Sequence, residues 1–320
     1  MTSPQRKRAP RHWSAISESG SLRGIQLMLA IYDRFGARAY QGVLFLVGLY
    51  YWWRRPIARR ASKEYQKQLK AFCPSVFLPR LTTVRHFTTF GTAILDKVLA
   101  LYGRIAPESI QIEQRETLRA AIDAGQGGII VVTHLGSHEI CQALGRLRRD
   151  LKMSVVMHTH HAQRFNSLFN DIDRPLSVEI IEVSDMGPAT AQRLQARVAE
   201  GGFVVIAADR EPIEAGARRR WIDFLGRPAP FPEGAFWLAM LLHCPLYLLV
   251  CARQGQTHHV HFESLGDATG LSRRERSVWM DNTMAHFVTR LEHFCCRYPL
   301  QWFNFYPFWQ SEKQNARPPR

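Results

Sequence analysis

From position 110 onward the chain alternates short apolar runs with helical stretches, and few folds accept that pattern. ETLRAAIDAGQGG reads as a helix stopped by glycines, and GIIVVT follows as a buried strand. EICQALGRLRRD is helical; MSVVMH and VEIIEV are strands; ATAQRLQARVAEGG is a helix with a glycine stop. FVVIAADR is a further strand, GAFWLAMLLH a helix, LYLLVCAR a strand, HHVHFESL an edge strand, and residues 271–296 a long final helix. Strands separated by helices of about ten to fifteen residues predict an α/β fold: a central mixed, mostly parallel sheet with helices on both faces. In such sheets ligands bind beyond the carboxyl ends of the strands. His134 and Asp209 both fall at such ends.

The stretch IIVVTHLGSHEIC, residues 129–141, is therefore the first place to look for chemistry. A strand delivers His134 to the sheet edge, Leu135, Gly136 and Ser137 turn the chain, and His138 and Glu139 begin a helix. A carboxylate five residues after the histidine can hold one imidazole nitrogen and leave the other as a base. That pairing suits acyl transfer, in which an oriented histidine takes a proton from an acceptor hydroxyl or amine without a serine nucleophile.

Ahead of position 110 the sequence has another character. Lys and Arg number 42 against 27 Asp and Glu, for a formal charge of +15 and a pI near 10.0. Such an excess favours an anionic partner. The basic residues crowd the first 80 positions, where RKRAPR and RRPIARRASK bracket the uncharged, aromatic-rich YQGVLFLVGLYYWW at 40–53. Basic flanks around such a segment suit an anionic membrane surface, whereas no recognition motif accompanies them that would speak for nucleic acid. Fourteen residues are short of the roughly 18–20 a span needs. The reading is a helical membrane-associating hairpin or oblique anchor, with a buried core helix as the alternative.

No cleavable signal is evident, and the six cysteines lack a C-x-x-C pair, which points to a reducing compartment. The expected organisation is a disordered basic tail (1–20), a membrane-associating helical region (21–72), a catalytic domain (73–310) and a disordered tail (311–320). RPIARRASKEYQKQLK and HFTTFGTAILDKVLALYG are helices, the second with Phe90, Ile94, Leu95, Val98 and Leu101 on its core face.

The T-H-L-G-S-H-E stretch resembles the H-x-x-x-x-[DE] motif of the lysophospholipid acyltransferase superfamily, in the branch related to lipid A late acyltransferases. An aromatic-rich N-terminal anchor, VVIAADRE, FLGRPAPFPEGAFWLAMLLHCPLYLLV and YPLQWFNFYPFW follow in the same order. The resemblance implies a membrane-bound enzyme on the cytoplasmic face of an inner membrane. It would use no cofactor and would move a fatty acyl group from an acyl carrier protein or acyl-CoA thioester to a lipid acceptor. It makes His134 the general base and Glu139 its orienting acid. Arg210 becomes a candidate for oxyanion stabilisation or phosphate anchoring, against a plain ion pair with Asp209 or Glu211. Gly136, Ser137, Asp209, Arg210, Glu233 and Gly234 are the candidate substrate-binding residues, Gly234 allowing an acyl chain to approach. Arg218, Arg219 and Arg220 would dock an acidic carrier or lipid phosphates, or form a solvated face. The E-G-T-R block of the glycerol phosphate branch breaks after Glu233-Gly234, where Ala235 and Phe236 stand.

Two other readings stay open on the residues. His134, His138, His158, His160 and His161 could serve a zinc-dependent hydrolase. A non-catalytic membrane or carrier-docking protein could carry the same fold.

Overall fold

The computed structural model describes residues 22–309 except 124, 138–139, 141–151, 158–177, 184–185 and 211–217. Three helices come first: α1 (Leu22–Arg54), α2 (Pro56–Phe72) and α3 (Thr82–Leu101). The α/β part contains β1 (Ile110–Glu113), α4 (Arg115–Asp123), β2 (Gly128–Gly136), β3 (Met153–Met157), β4 (Val178–Glu182), α5 (Pro188–Ala199) and β5 (Phe203–Ala207). A hairpin of β6 (Arg219–Phe224) and β7 (Arg227–Pro232) follows, then α6 (Gly234–Leu242), β8 (Pro245–Gln254), β9 (Thr257–Asp267) and α7 (Glu275–Arg297).

Among the described residues seven strands form one sheet in the order β1-β9-β8-β2-β5-β3-β4. Strands β8, β2, β5, β3 and β4 run parallel, while β9 lies antiparallel to β8 and carries β1 parallel to itself. The central strands are continuous apolar runs because both faces are covered. Ile129, Val131, Val204, Leu246 and Leu248 join the larger core with α6 and α7, whereas Ile130, Val132, Phe203, Val205 and Tyr247 pack on the other face with Ala121 of α4.

Two departures from expectation have physical causes. β9 is not the edge: β1 lies outside it, in register from Ile110↔His258 to Glu113↔His261. The half-polar look of HHVHFESL came from His258 and His261, both of which are buried. IQIE is too short for its alternation to stand out. The β6–β7 hairpin is hidden in the sequence, since Pro228, Pro230 and Pro232 alternate along β7 and proline argues against a strand. In a two-stranded ribbon the missing N–H groups face away from the partner, and Ala229 and Phe231 between them fill the core. EICQALGRLRRD falls almost wholly outside the described residues, as do the two terminal tails.

At the N-terminal end, α1 kinks at Gly36, whose φ of 77° is left-handed. Beyond the kink α1 packs on α3 through Tyr40, Leu44, Leu95 and Leu99. No described helix is long and apolar enough to cross a membrane. The outward side of α1 nevertheless exposes Leu46, Leu49, Tyr50 and Trp53, Leu46 and Trp53 by 64% and 67%. Their spacing repeats every three to four residues, so they form one row along the helix.

Candidate active site

β2 and β5 are adjacent parallel strands, in register from Gly128↔Phe203 to Val132↔Ala207. Two residues further along each chain, the same alignment brings His134 opposite Asp209. His134 Nδ1 lies 2.7 Å from Asp209 Oδ1, and the His134 backbone N–H donates to Oδ2 at 2.8 Å. Asp209 is wholly buried, while the His134 side chain keeps 28% of its surface. With a carboxylate facing Nδ1, that nitrogen carries the proton and Nε2 is the basic one. Burial pushes the Asp209 carboxyl up, but His134 and the neighbouring Arg210 outweigh it and hold the acid below the ordinary carboxylate value.

A C-terminal strap closes the site from one side. Leu135 bridges Trp302 in antiparallel fashion, Gly136 N donates to Gln301 O at 2.8 Å, and Phe303 N donates to His134 O at 2.8 Å. Trp302 Nε1 donates to Asp209 Oδ2 at 2.9 Å, and Asn304 Nδ2 to the Asp209 carbonyl at 3.0 Å. Arg210 reaches back to the same strap, with Nε on Asn304 Oδ1 at 2.9 Å and a terminal nitrogen on Phe303 O at 3.2 Å. The buried carboxylate thus accepts from a ring nitrogen, a backbone amide and an indole, which is what lets a charge stay ionised there.

The remaining sequence-derived residues divide clearly. Gly136 has φ +71°, and a Cβ there would stand 1.9 Å from Cys251 O, so the turn admits only glycine. Ser137 is buried and tied down, its N–H on Cys251 O at 2.8 Å and its hydroxyl on Ala93 O at 3.2 Å. Both residues build the turn that carries His134. The Asp209 carboxylate bonds to His134 and Trp302, and Arg210 bonds to the strap through Nε and one terminal nitrogen. Glu233 stands just before α6 without a side-chain capping bond, and its carboxylate accepts from Arg220 Nε at 3.2 Å and Trp237 Nε1 at 2.8 Å, while Arg220 also pairs with Asp281. It ties the hairpin to α6 and α7. Arg218 lies over the Trp237 ring at 4.9 Å, and Arg218 and Arg219 are both exposed. A Cβ at Gly234 would meet nothing within 4 Å.

Glu139 and His138 lie outside the described residues, as do Glu211, His158, His160 and His161. Among the described residues no three His, Cys, Asp or Glu side chains gather as a metal site. A cavity of about 470 Å³ adjoins the turn at Ser137 and is lined by Asp96, Arg253, His258 and Gln301 among others.

In the sequence the aromatic run around them hides the polar work of Trp302 and Asn304. Trp302 is indeed core, 1% exposed, yet its indole N–H points at the carboxylate. The available signal was Asn304 itself, a polar residue in an aromatic run, because a buried amide must find partners.

The sequence profile of a family described as Bacterial lipid A biosynthesis acyltransferase matches residues 86–311, which contain the strands, the strap and both members of the His134–Asp209 pair. No curated protein matches the chain significantly.

Proposed function

The chain belongs to the bacterial lipid A biosynthesis acyltransferase family and is a lipid acyltransferase; from that premise we propose how it works and where. His134 is the general base. The acceptor hydroxyl attacks the thioester carbonyl of an acyl carrier protein or coenzyme A donor while Nε2 takes its proton. The tetrahedral oxyanion collapses, the C–S bond breaks, and the departing thiolate recovers the proton from the imidazolium. An ester of the acceptor and a free thiol result, with no covalent acyl-enzyme. Asp209 fixes the ring and stabilises its charged form. Glu139 is the carboxylate of the H-x-x-x-x-E motif, to which Asp209 adds a second from a separate strand. The observation that carries this reading is the 2.7 Å contact between His134 Nδ1 and a fully buried Asp209 carboxylate.

The reaction takes place on an anionic membrane surface, at the cytoplasmic face of an inner membrane. Supporting this are the row Leu46, Leu49, Tyr50 and Trp53 and the arginines 54, 55, 59 and 60 at its end. With no described helix able to span, the helix lies in the interface and presents its apolar row to the acyl boundary and its cations to lipid phosphates. Its charge equally suits an acidic carrier.

The test is lipid mass spectrometry on membranes with the chain, without it, and with His134→Ala. The unaltered chain should add an acyl mass to one lipid class. His134→Ala should lose at least roughly 10³-fold of that activity while remaining folded and membrane-bound. Full activity in His134→Ala would refute the base assignment.

A further inference from the structure

The bonds around Asp209 continue beyond the strap. His86 of α3 is completely buried, with Nε2 3.0 Å from the Trp302 carbonyl and Nδ1 2.9 Å from the Ser62 hydroxyl of α2. A carbonyl can only accept, so Nε2 carries the hydrogen and Nδ1 accepts from Ser62. Gln66 in turn donates to the Ser62 oxygen at 3.2 Å. Burial pushes the His86 pKa down to about 4, so the ring is neutral at working pH and its tautomer is the one the bonds require. Tyr65 packs on the Trp302 ring at 5.0 Å between centroids, and Phe224 at 5.1 Å. The indole therefore has little freedom to turn its N–H away from Asp209.

We propose that Trp302 and His86 are positioning residues of the reaction: Trp302 sets how strongly Asp209 holds the His134 imidazole, and His86 fixes Trp302. This wires α2 and α3 into the catalytic centre, so the N-terminal helices govern base strength as well as location. Its kinetic arm rests on the acyltransfer reading; its structural arm does not.

The indole donates to the carboxylate oxygen that also accepts the His134 backbone N–H. Removing that donor concentrates the carboxylate's charge on its remaining partners and favours the imidazolium. Among the described residues the ionisable groups coupled to Asp209 are His134, Arg210 and Cys295. Arginine stays charged, and burial holds the Cys295 thiol well above its ordinary value, so the imidazole of His134 is the member of that set whose proton a titration follows.

The experiment is an NMR pH titration of the full chain in detergent, with the His134 signals identified by their loss in His134→Asn. In the unaltered protein the Trp302 indole N–H resonance should move with the same midpoint as the His134 ring. An indole signal indifferent to that titration overturns the proposal. Trp302→Phe, which keeps the ring packing and deletes the donor, should raise the His134 midpoint by about half a pH unit or more. A folded Trp302→Phe with an unmoved midpoint also overturns it. In an acyltransfer assay the same variant should lose kcat by about tenfold with KM unchanged, and its acidic limb should shift upward. Coupled titration in a protein that transfers no acyl group would uphold the positioning role while removing the acyltransfer reading.

Discussion

The sheet-edge site and the outer row of α1 treat their side chains in opposite ways. At the site every described polar group around Asp209 is answered from within the protein, by His134, Trp302, Asn304 and Arg210. Along α1, Leu46, Leu49, Tyr50 and Trp53 spend apolar surface on solvent although the same helix buries Tyr40 and Leu44. A buried charge persists only when its surroundings make it worth keeping ionised, and a contiguous exposed apolar row persists only when something else covers it. The first arrangement speaks of chemistry and the second of an interface. Loss of a group should accordingly damage turnover in one region and location in the other.

The sharpest break of that contrast is Asp209→Asn. It preserves shape but deprives the imidazole of its counter-charge and can reverse its tautomer, so kcat should fall by about 10³-fold or more. Vesicle binding should be unchanged in a flotation assay. A loss of binding equal to the loss of turnover would erase the distinction between the two regions.

How the sequence displayed Asp209 explains why its role was not legible. The strand FVVIAADR could be read, and so could the strand ending at His134. Their adjacency could not, because the partners are 75 positions apart and nothing local encodes that β5 lies beside β2. Within the motif, only the five-residue step to Glu139 is visible in the sequence, and that carboxylate lies outside the described residues. The parallel sheet itself was legible from its unbroken apolar strands. β1 was hidden by its shortness and the hairpin by its prolines. Trp302 was hidden by its own bulk, since an aromatic residue among aromatics advertises packing and conceals one N–H.

A milder probe takes the other region. Leu46→Ser with Trp53→Ser removes two exposed apolar groups and should weaken binding to vesicles of anionic phospholipid by on the order of 100-fold. Activity toward a micellar acceptor should hold, and unfolding stability should stay within about 0.5 kcal/mol. If micellar activity fell as far as vesicle binding, the row would belong to the site.

The smallest effect is a pH dependence of stability. His86 and His261 are buried, and burial lowers each to about 4 against an ordinary 6.5. Their contribution is complete above about 6.5. As pH falls toward about 4, the unfolded chain takes up protons that the folded one refuses, and stability declines across that window. For the fully buried His86 the slope reaches about 1.4 kcal/mol per pH unit. Asp209, held low, adds its own loss only as pH falls below about 4. Denaturant unfolding at pH 7 and pH 5 measures this directly, and equal midpoints would contradict neutral buried imidazoles at His86 and His261.

The strap has a consequence for the chain's own biosynthesis. His134 and Asp209 leave the ribosome well before Gln301 to Asn304, which pair with residues 134–136 and complete the shell of the carboxylate. The helices α1, α2 and α3 emerge earlier still. The three helices and both members of the His134–Asp209 pair are thus made before the segment that encloses the carboxylate, and the last of these segments to be synthesised is the one that completes its set of hydrogen bonds.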